Sequence, residues 1–261
     1  MQKRLFEISY KLQTISHLRP QIFHRTYPVL MPSPRPSNQH QYGDHVRQRL
    51  TSYDHSPNST KTPLIFIHGG AWVDPNNTDM DADKLSSYLS YDIPLFSIDY
   101  RLTPEVKYPK HNEDVLSAIK FILNAHKYEK IKLAGHSVGS TIILSILGEL
   151  KGFVDEVVLI DGIFDLNEWV NEYPSCEKYV VDSHDDYKNI KPLQLADYGN
   201  VKFNVVHSYQ DELLSLGQTR WLIKQFENNQ VPYTLKISNL GEHEEVYRHP
   251  ELAKFIESTA Y

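Results

Sequence analysis

The chain has 261 residues, of which 40% are hydrophobic and 23% charged, and its net charge is −6. This length and apolar content suit one large α/β domain, while the acidic balance argues against a nucleic-acid surface and the longest apolar stretch, residues 141–147, is too short to cross a bilayer. A single cysteine, Cys176, excludes internal disulfides and favours a reducing compartment, and no Cys/His spacing predicts a metal site.

The first 43 residues differ in composition from the rest. They contain six of the 27 Lys/Arg, one of the 33 Asp/Glu and five of the 15 prolines. Such a segment is typical of extended or disordered chain, so we predict a poorly ordered extension over residues 1–43 and a folded α/β domain over 44–261. The Arg-rich, acid-poor composition also fits a transit peptide. We therefore expect a cytoplasmic location, or a mitochondrial one if residues 1–40 act as a transit peptide.

Strand and helix patterns alternate after this extension. Residues 45–54 are compatible with an early strand, and residues 63–67 form an unbroken apolar run typical of a strand covered on both faces. Such alternation predicts a mostly parallel sheet flanked by helices, with ligands bound at the carboxyl ends of its strands. Residues 164–196 are irregular, aromatic and acidic and are predicted to form a small cap. Further strands are predicted at 94–98, 131–134, 156–160, 203–206 and 233–237, and helices at 81–89, 112–125, 217–227 and 244–257.

The stretch KIKLAGHSVGSTIILSIL, residues 130–147, carries the strongest signal. A short buried strand meets a sharp turn at Ser137, and an apolar helical pattern follows at once. A serine on such a turn crowds its neighbours, so Gly135 and Gly139 meet a steric need. The turn exposes the hydroxyl above the sheet and leaves the amide of Val138 free to donate to an anion. Ser137 is therefore a candidate nucleophile.

A serine hydroxyl needs a base, and the base needs an orienting acid. Asp211 follows the strand at 203–206, and His243 lies in the loop after the last strand, which is the Ser, acid, His order of an α/β-hydrolase. Asp161, which follows an earlier strand, remains an alternative acid, and Glu212 is expected to point elsewhere. The competing histidines each fit a structural position better, in the turn, at a strand end or near the final helix: His136, His207 and His249.

Glycines and aromatic residues follow the first buried strand. The adjacent Gly69 and Gly70 let backbone amides turn towards a ligand without steric cost, although such a pair can also be a simple tight turn. Most aromatic side chains lie in the core. Trp72 and Tyr100 are nevertheless predicted to contact substrate, and Trp72 in particular would form a wall for an aromatic group because it follows the glycine turn.

The segments HGGAW, DYRLTPE, GHSVG and DGIFDL, together with HSYQDELLSL and GEHEEVY, resemble the HGG-containing branch of the α/β-hydrolases related to hormone-sensitive lipase. More narrowly, the chain is similar to fungal kynurenine formamidases (arylformamidases), whose signature is H-G-G-x-W. The resemblance covers residues 41–256. One departure is Asp161-Gly162, where relatives often carry Ser-Gly. The signature corresponds to His68, Gly69, Gly70, Ala71 and Trp72.

The resemblance implies an α/β-hydrolase fold and release of formate from N-formyl-L-kynurenine, a step of tryptophan breakdown that feeds NAD synthesis. It implies Ser137, Asp211 and His243 as a catalytic triad. It also implies that Gly69, Gly70 and Ala71 join Val138 in the oxyanion hole. No metal or organic cofactor is expected, the partner is the small-molecule substrate, and a homodimer is implied. Neither nucleic acid nor membrane is expected as a partner.

Three other functions are compatible with parts of this pattern. A general short-chain carboxylesterase would use the same triad. A catalytically silent binding protein of this fold would have an incomplete triad, whereas all three members are present here. A prolyl-type peptidase usually has an additional gating domain, for which the chain is too short.

Overall fold

Eight strands form one sheet in the order β1-β2-β4-β3-β5-β6-β7-β8 in a computed structural model that describes residues 32–190, 198 and 200–259. β1 and β2 are antiparallel to their neighbours, and all pairs from β4 to β8 are parallel. The mostly parallel sheet predicted from the alternating pattern is therefore confirmed. The strands are β1 (Ser37–Gln41), β2 (Arg49–Tyr53), β3 (Leu64–Ile67), β4 (Leu95–Ile98), β5 (Ile131–His136), β6 (Val154–Ile160), β7 (Lys202–Ser208) and β8 (Tyr233–Ser238).

Helices cover both faces of the sheet. Because successive side chains of a strand point to opposite faces, β3 places Ile65 and Ile67 in one apolar cluster and Leu64 and Phe66 in another. The first cluster is completed by α2, α3 and α6, and the second by α1 and α7. The helices are α1 (Asp83–Tyr88), α2 (Lys110–His126), α3 (Val138–Ile146), α4 (Leu166–Glu172), α5 (Glu177–Ser183), α6 (Gly217–Asn228) and α7 (Pro250–Ser258).

The predicted boundary between residues 43 and 44 is wrong. Residues 37–41 form the edge strand β1, and the compact unit that contains the sheet begins at Pro32. Arg35 is buried, and its guanidinium donates to the carbonyl oxygens of Leu89 and Ile93 at 2.7 and 2.8 Å. The proline-rich composition concealed this anchor because the bonds join segments far apart in sequence. Residues 1–31, on which the prediction of disorder also rested, lie outside the described residues.

The segment after β6 is more regular than its composition indicated. It contains the short helices α4 and α5, and Asp165 caps the first of them by accepting the backbone N–H of Glu168 at 2.9 Å. Residues 191–196 of the predicted cap lie outside the described part of the chain. Among the described residues, no helix is both long and apolar enough to span a membrane.

Candidate active site

Ser137 lies on the turn between β5 and α3, with φ 53° and ψ −121°. This backbone conformation is rare for a residue with a side chain and is characteristic of a strained turn at a functional site. The amide of Ser137 donates to the carbonyl oxygen of Ile160 at 2.9 Å, which ties the turn to β6. The next amide, that of Val138, is the first of the helix and has no partner within the helix.

Close backbone contacts on both sides of Ser137 leave no room for a side chain at Gly135 or Gly139. A Cβ on Gly135 would lie 2.6 Å from the backbone carbonyl carbon and oxygen of Gly139, and a Cβ on Gly139 would overlap the carbonyl oxygen of Ile67. Both distances are far below van der Waals contact, and backbone atoms cannot rotate away. The pair therefore lets β5, the turn and α3 approach closely enough to present Ser137.

The loop after β3, residues 68–72, is called the glycine loop, and the turn that carries Ser137, residues 135–139, is called the nucleophile turn after its predicted role. The glycine loop lies against the nucleophile turn. A Cβ on Gly69 would be 3.0 Å from Cβ of Ser137 and 2.9 Å from Nδ1 of His136, so the backbone of Gly69 directly abuts the nucleophile turn. Gly70, Ala71 and Trp72 all have positive φ, at 91°, 48° and 61°. This run turns the backbone sharply beside Ser137, the place where an oxyanion would form.

Tyr100, predicted to contact substrate, instead supports the loop after β3 from below. The ring is fully buried beneath the loop, and its hydroxyl donates to the carbonyl oxygens of His68 and Gly69 at 3.1 and 3.2 Å. The amide of Thr103 holds the other end of the loop by donating to the carbonyl oxygen of Trp72 at 2.9 Å. The segment after β4 therefore fixes the glycine loop from below. Sequence spacing could not distinguish such a supporting tyrosine from one that faces a ligand.

Asp99 extends this support into a buried charge network. It makes ion pairs with Arg47 at 2.7 Å and Arg49 at 3.4 Å, and it lies 3.3 Å from Nε2 of His68. A buried carboxylate between two guanidinium groups is stable only where the geometry is fixed, so the network holds the start of the loop in place.

The imidazole of His243 is bound to Asp211. Nδ1 of His243 donates to Oδ2 of Asp211 at 2.7 Å, and Oδ1 of Asp211 accepts the amides of Leu213 and Leu214, both at 2.8 Å. His243 is only 4% exposed. With Nδ1 committed to the acid, Nε2 is the nitrogen available to act as a base.

Two residues that the sequence does not favour as catalytic acid or base hold the backbone of His243. Oε2 of Glu212 accepts its amide at 2.8 Å, and Nε2 of His136 donates to its carbonyl oxygen at 3.0 Å. Glu212, expected to point elsewhere than the acid position, therefore contacts the backbone of His243 and not its imidazole. The rings of His136 and His243 also pack with centroids 4.5 Å apart. Because His136 directly precedes Ser137, this contact brings the base to the nucleophile turn.

The hydroxyl of Ser137 makes no hydrogen bond within the described part of the chain. The bond to His243 is therefore not formed in this conformation, although the two residues are joined through His136. Catalytic hydrogen bonds are often long in the unliganded enzyme and tighten when substrate binds.

The competing histidines have structural partners, as expected from the sequence. His207 is buried at the end of β7, and its Nδ1 lies 2.9 Å from the hydroxyl of Thr219. His249 caps α7, where its Nδ1 accepts the amide of Glu251 at 3.2 Å. Neither imidazole is placed as a base for Ser137.

Charge and burial shift the pKa values of the pair in opposite directions. Burial alone lowers the pKa of His243, but the hydrogen bond to Asp211 and the charge of that carboxylate outweigh burial and raise it above its usual value. For Asp211, burial raises the pKa, and the bonds from His243 and the two amides more than compensate, so it is lowered. Asp211 is therefore held as a carboxylate, the charge state that would stabilise an imidazolium at His243.

A cavity of about 720 Å³ opens beside the nucleophile turn. Trp72 and Ile163 line this cavity, whereas Ser137 does not. The cavity nevertheless adjoins the turn, because the amide of Ile163 lies 3.4 Å from the carbonyl oxygen of Ser137. Trp72 is 1% exposed and packs edge-on against His184 at 4.7 Å. The remaining aromatic walls come from the segment between β4 and α2, the chain between β6 and β7, and α6: Tyr108, Phe164, Tyr187, Tyr198 and Trp221.

Among the described residues, two groups of side chains each place three metal-type ligand atoms within 4.8 Å of one another. One consists of His136, His243 and Glu244, and the other of Asp161, Asp211 and His243. In both, the imidazole of His243 is already committed to Asp211 through Nδ1. The arrangement suits proton transfer rather than metal coordination, and the absence of a metal requirement remains a prediction.

Comparisons with known proteins agree with this architecture. Kynurenine formamidase from Meyerozyma guilliermondii is 36% identical over 82% of this chain and 90% of that protein, and the Saccharomyces cerevisiae kynurenine formamidase is 34% identical over 79% and 91%. Among solved structures, esterase B from Lactobacillus rhamnosis superposes with a TM-score of 0.67 at 17% identity, covering 87% of this chain and 84% of that one. An arylesterase superposes with a TM-score of 0.64 at 18% identity, covering 88% and 86%.

A family model described as BD-FAE matches residues 52–226. This range contains the glycine loop, the nucleophile turn and Asp211, whereas His243 lies beyond it. The structural neighbours show the α/β-hydrolase fold, and the sequence relatives confirm the resemblance that the motifs indicated. The chain therefore belongs to the BD-FAE family of α/β-hydrolases and to the kynurenine formamidase family.

Proposed function

We propose that this protein hydrolyses N-formyl-L-kynurenine to L-kynurenine and formate, with Ser137 as nucleophile, His243 as base and Asp211 as the orienting acid. The observation that carries the proposal is the 2.7 Å hydrogen bond from His243 to Asp211 beside a strained serine turn. Its relatives bear the name kynurenine formamidase. The reaction would serve tryptophan degradation and, through kynurenine, NAD biosynthesis.

In the first step, Nε2 of His243 takes the proton of Ser137 as Oγ attacks the formyl carbon. The carbonyl oxygen becomes an oxyanion, and the amides of Gly70 and Val138 donate to it, with Gly69 and Ala71 as further donors in the same loop. Loss of one such donor typically raises the barrier by about 3 kcal/mol. Asp211 keeps the imidazole in the required tautomer and stabilises its positive charge.

In the second step, the imidazolium donates its proton to the aryl nitrogen, the C–N bond breaks and kynurenine leaves. The formyl group is now an ester on Ser137. Water then attacks this ester while His243 accepts a proton from the water, and collapse of the intermediate releases formate and restores the serine. The cycle uses only these side chains and one water molecule.

Recognition of this substrate must come from its leaving group, because the acyl part is a single carbon. About half of the lining of the cavity beside the turn is aromatic or apolar, which suits an aryl ketone, and Trp72 is the wall that connects it to the glycine loop. Trp72 is therefore proposed as a substrate contact. The acidic side chains at its cap side, Asp165, Asp185 and Asp186, give it a negative rim.

A general short-chain carboxylesterase is the second candidate, and the likeness of the fold to esterases favours it. The deciding measurement is the ratio of kcat/KM for N-formyl-L-kynurenine to that for p-nitrophenyl acetate. A ratio well above one supports the formamidase. Hydrolysis of the ester with no release of kynurenine would leave only the esterase.

The catalytic roles are tested with Ser137→Ala and His243→Ala, using Ser117→Ala on the exposed face of α2 as the matched control. Both site variants should lose at least about 10³-fold in kcat, since the nucleophile and its base act as one unit. The control should retain the wild-type rate. Full activity in Ser137→Ala would remove the mechanism whatever the substrate.

The location is proposed from the single cysteine and the composition of the first residues, and the assembly from the family resemblance. We infer a cytoplasmic enzyme, and fusion of residues 1–40 to a fluorescent protein tests the mitochondrial alternative. A homodimer is tested by light scattering after size-exclusion chromatography, where a monomer mass at all concentrations would contradict it.

A further inference from the structure

Asp161 lies directly after β6, beside the catalytic pair, and the mechanism above does not use it. Its backbone has φ 40°, and its side chain is fully buried. Oδ1 accepts the amide of Ser208 at 2.9 Å, whereas Oδ2 is a buried oxygen with no donor among the described residues. A buried carboxylate oxygen without a donor is costly, so this atom requires an explanation.

The explanation lies in the neighbours of Asp161. One oxygen each of Asp161 and Asp211 and one nitrogen of His243 lie within 4.8 Å of one another, so the two carboxyl groups share one site. Two carboxylates accept but cannot donate, so a hydrogen bond between them requires a proton on one of them. Such a shared proton is expected where two buried carboxyl groups occupy one site.

The partners of each group decide which carboxyl holds the proton. Asp211 accepts three N–H bonds, from the imidazole of His243 and two backbone amides, and these favour its ionised form. Asp161 accepts a single backbone amide, from Ser208. Burial, and then the charge of Asp211, raise the pKa of Asp161 to about 8. The proton therefore resides on Asp161 at neutral pH.

We propose that Asp161 is a positioning residue that keeps a proton and donates it from Oδ2 to Asp211, so that the triad is extended by a fourth, uncharged member. The inference rests on the proposed roles of Ser137, His243 and Asp211 but not on the identity of the substrate. In this arrangement the otherwise unpaired Oδ2 of Asp161 carries a proton and acts as a hydrogen-bond donor. It also gives Asp211 a fourth bond, which fixes the carboxylate that holds the base.

A pH dependence follows from this arrangement. The titratable groups that face Asp161 are Asp211 in the loop after β7, His243 after β8 and His207 on β7, whose Nδ1 lies 3.3 Å from Oδ1. Burial lowers the pKa of His207, so this ring is neutral and does not neutralise the pair. When Asp161 loses its proton, two adjacent carboxylates repel each other, and Asp211 is displaced from His243. The reactivity of Ser137 should therefore fall above about pH 8.

Asp161→Asn is the decisive variant. The amide matches the protonated acid in shape, since its oxygen can accept the Ser208 amide while its NH₂ group donates to Asp211, but it cannot ionise. The probe is the rate at which diisopropyl fluorophosphate labels Ser137, measured across pH, which reports serine reactivity without a substrate. Asp155→Asn, which removes an exposed carboxylate of the same strand, is the matched control.

Asp161→Asn should label within about threefold of the wild-type rate near neutral pH and should lack the decline at high pH, whereas the control should retain that decline. Asp161→Ala, which has no donor, should label about tenfold or more slowly at neutral pH, as expected for the loss of a hydrogen bond to a charged group. Infrared difference spectra should show a protonated carboxylic acid in wild type that is missing in Asp161→Asn.

Several outcomes would overturn the inference. If Asp161→Asn labels as slowly as Asp211→Asn near neutral pH, or fails to fold, Asp161 acts as a charge and not as a donor. A high-pH decline that persists in Asp161→Asn, or wild-type labelling by Asp161→Ala at neutral pH, would also contradict it. Rapid labelling of a wild-type protein that leaves N-formyl-L-kynurenine intact would refute the proposed substrate alone.

Discussion

Gly69→Ala should reduce turnover while leaving the fold intact, because Gly69 abuts the nucleophile turn. The added methyl group would lie 2.9 Å from Nδ1 of His136 and 3.0 Å from Cβ of Ser137, against 3.4 Å or more for ordinary contact. Both neighbours are fixed: His136 is bonded to His243, and Ser137 is tied to β6. The loop, and not the turn, must therefore move, by roughly half an ångström.

The expected size of the effect follows from this displacement. An amide about 2.9 Å from an oxyanion would move to about 3.4 Å, where a hydrogen bond is weak. Loss of one oxyanion donor costs about 3 kcal/mol, so kcat should fall by about 10²-fold to 10³-fold. KM should change little, because the donor acts mainly on charge that develops in the transition state.

The assay compares kcat and KM of Gly69→Ala with those of Gly148→Ala. Gly148 has no atom within 4 Å of an added Cβ and does not have positive φ, so its substitution introduces a methyl group without a clash. Melting temperatures of both variants show whether the fold is retained. A Gly69→Ala enzyme with wild-type kcat would refute the placement of the loop amides at the oxyanion.

Three further variants test the two residues that hold His243 and the tryptophan that lines the cavity. Asp211→Asn should shift the acidic limb of kcat/KM to lower pH, since removal of the carboxylate leaves burial to lower the pKa of His243. Glu212→Ala should lower kcat by about tenfold by releasing the amide of His243, whereas Glu212→Gln keeps an acceptor and most of the rate. Trp72→Ala should raise KM for the formylated amino acid more than for p-nitrophenyl acetate, and equal changes would remove its recognition role. Asp161 should also make stability depend on pH. Because its pKa is raised in the folded state, it stabilises the fold below about pH 4 and loses that contribution as the pH rises through about 8. In denaturant titrations, the unfolding free energy of wild type should therefore fall across this range by up to several kcal/mol more than that of Asp161→Asn.

The nucleophile and the sheet could be predicted because their signals are local. The spacing of Gly135, Ser137 and Gly139 reflects a steric requirement of one turn, and the apolar run of β3 reflects burial on both faces. The acid and the histidine were identified by their positions after successive strands, since parallel strands bring their carboxyl ends to one edge. The short helices α4 and α5 and the strand β1 could not be predicted, because the composition of these segments is typical of irregular chain and their structure depends on packing against the rest of the fold.

The amino-acid sequence by itself therefore determined the order of the elements, the strained serine turn and the candidate acid and base, all of which depend on neighbouring residues or on strand periodicity. Only the tertiary structure decided that Tyr100 supports the loop from within and that Glu212 and His136 hold the backbone of His243. It also decided that Asp161 meets Asp211. These contacts join segments separated by tens of residues, and the direction of a side chain across such a gap is set by the packed fold, which no local pattern encodes.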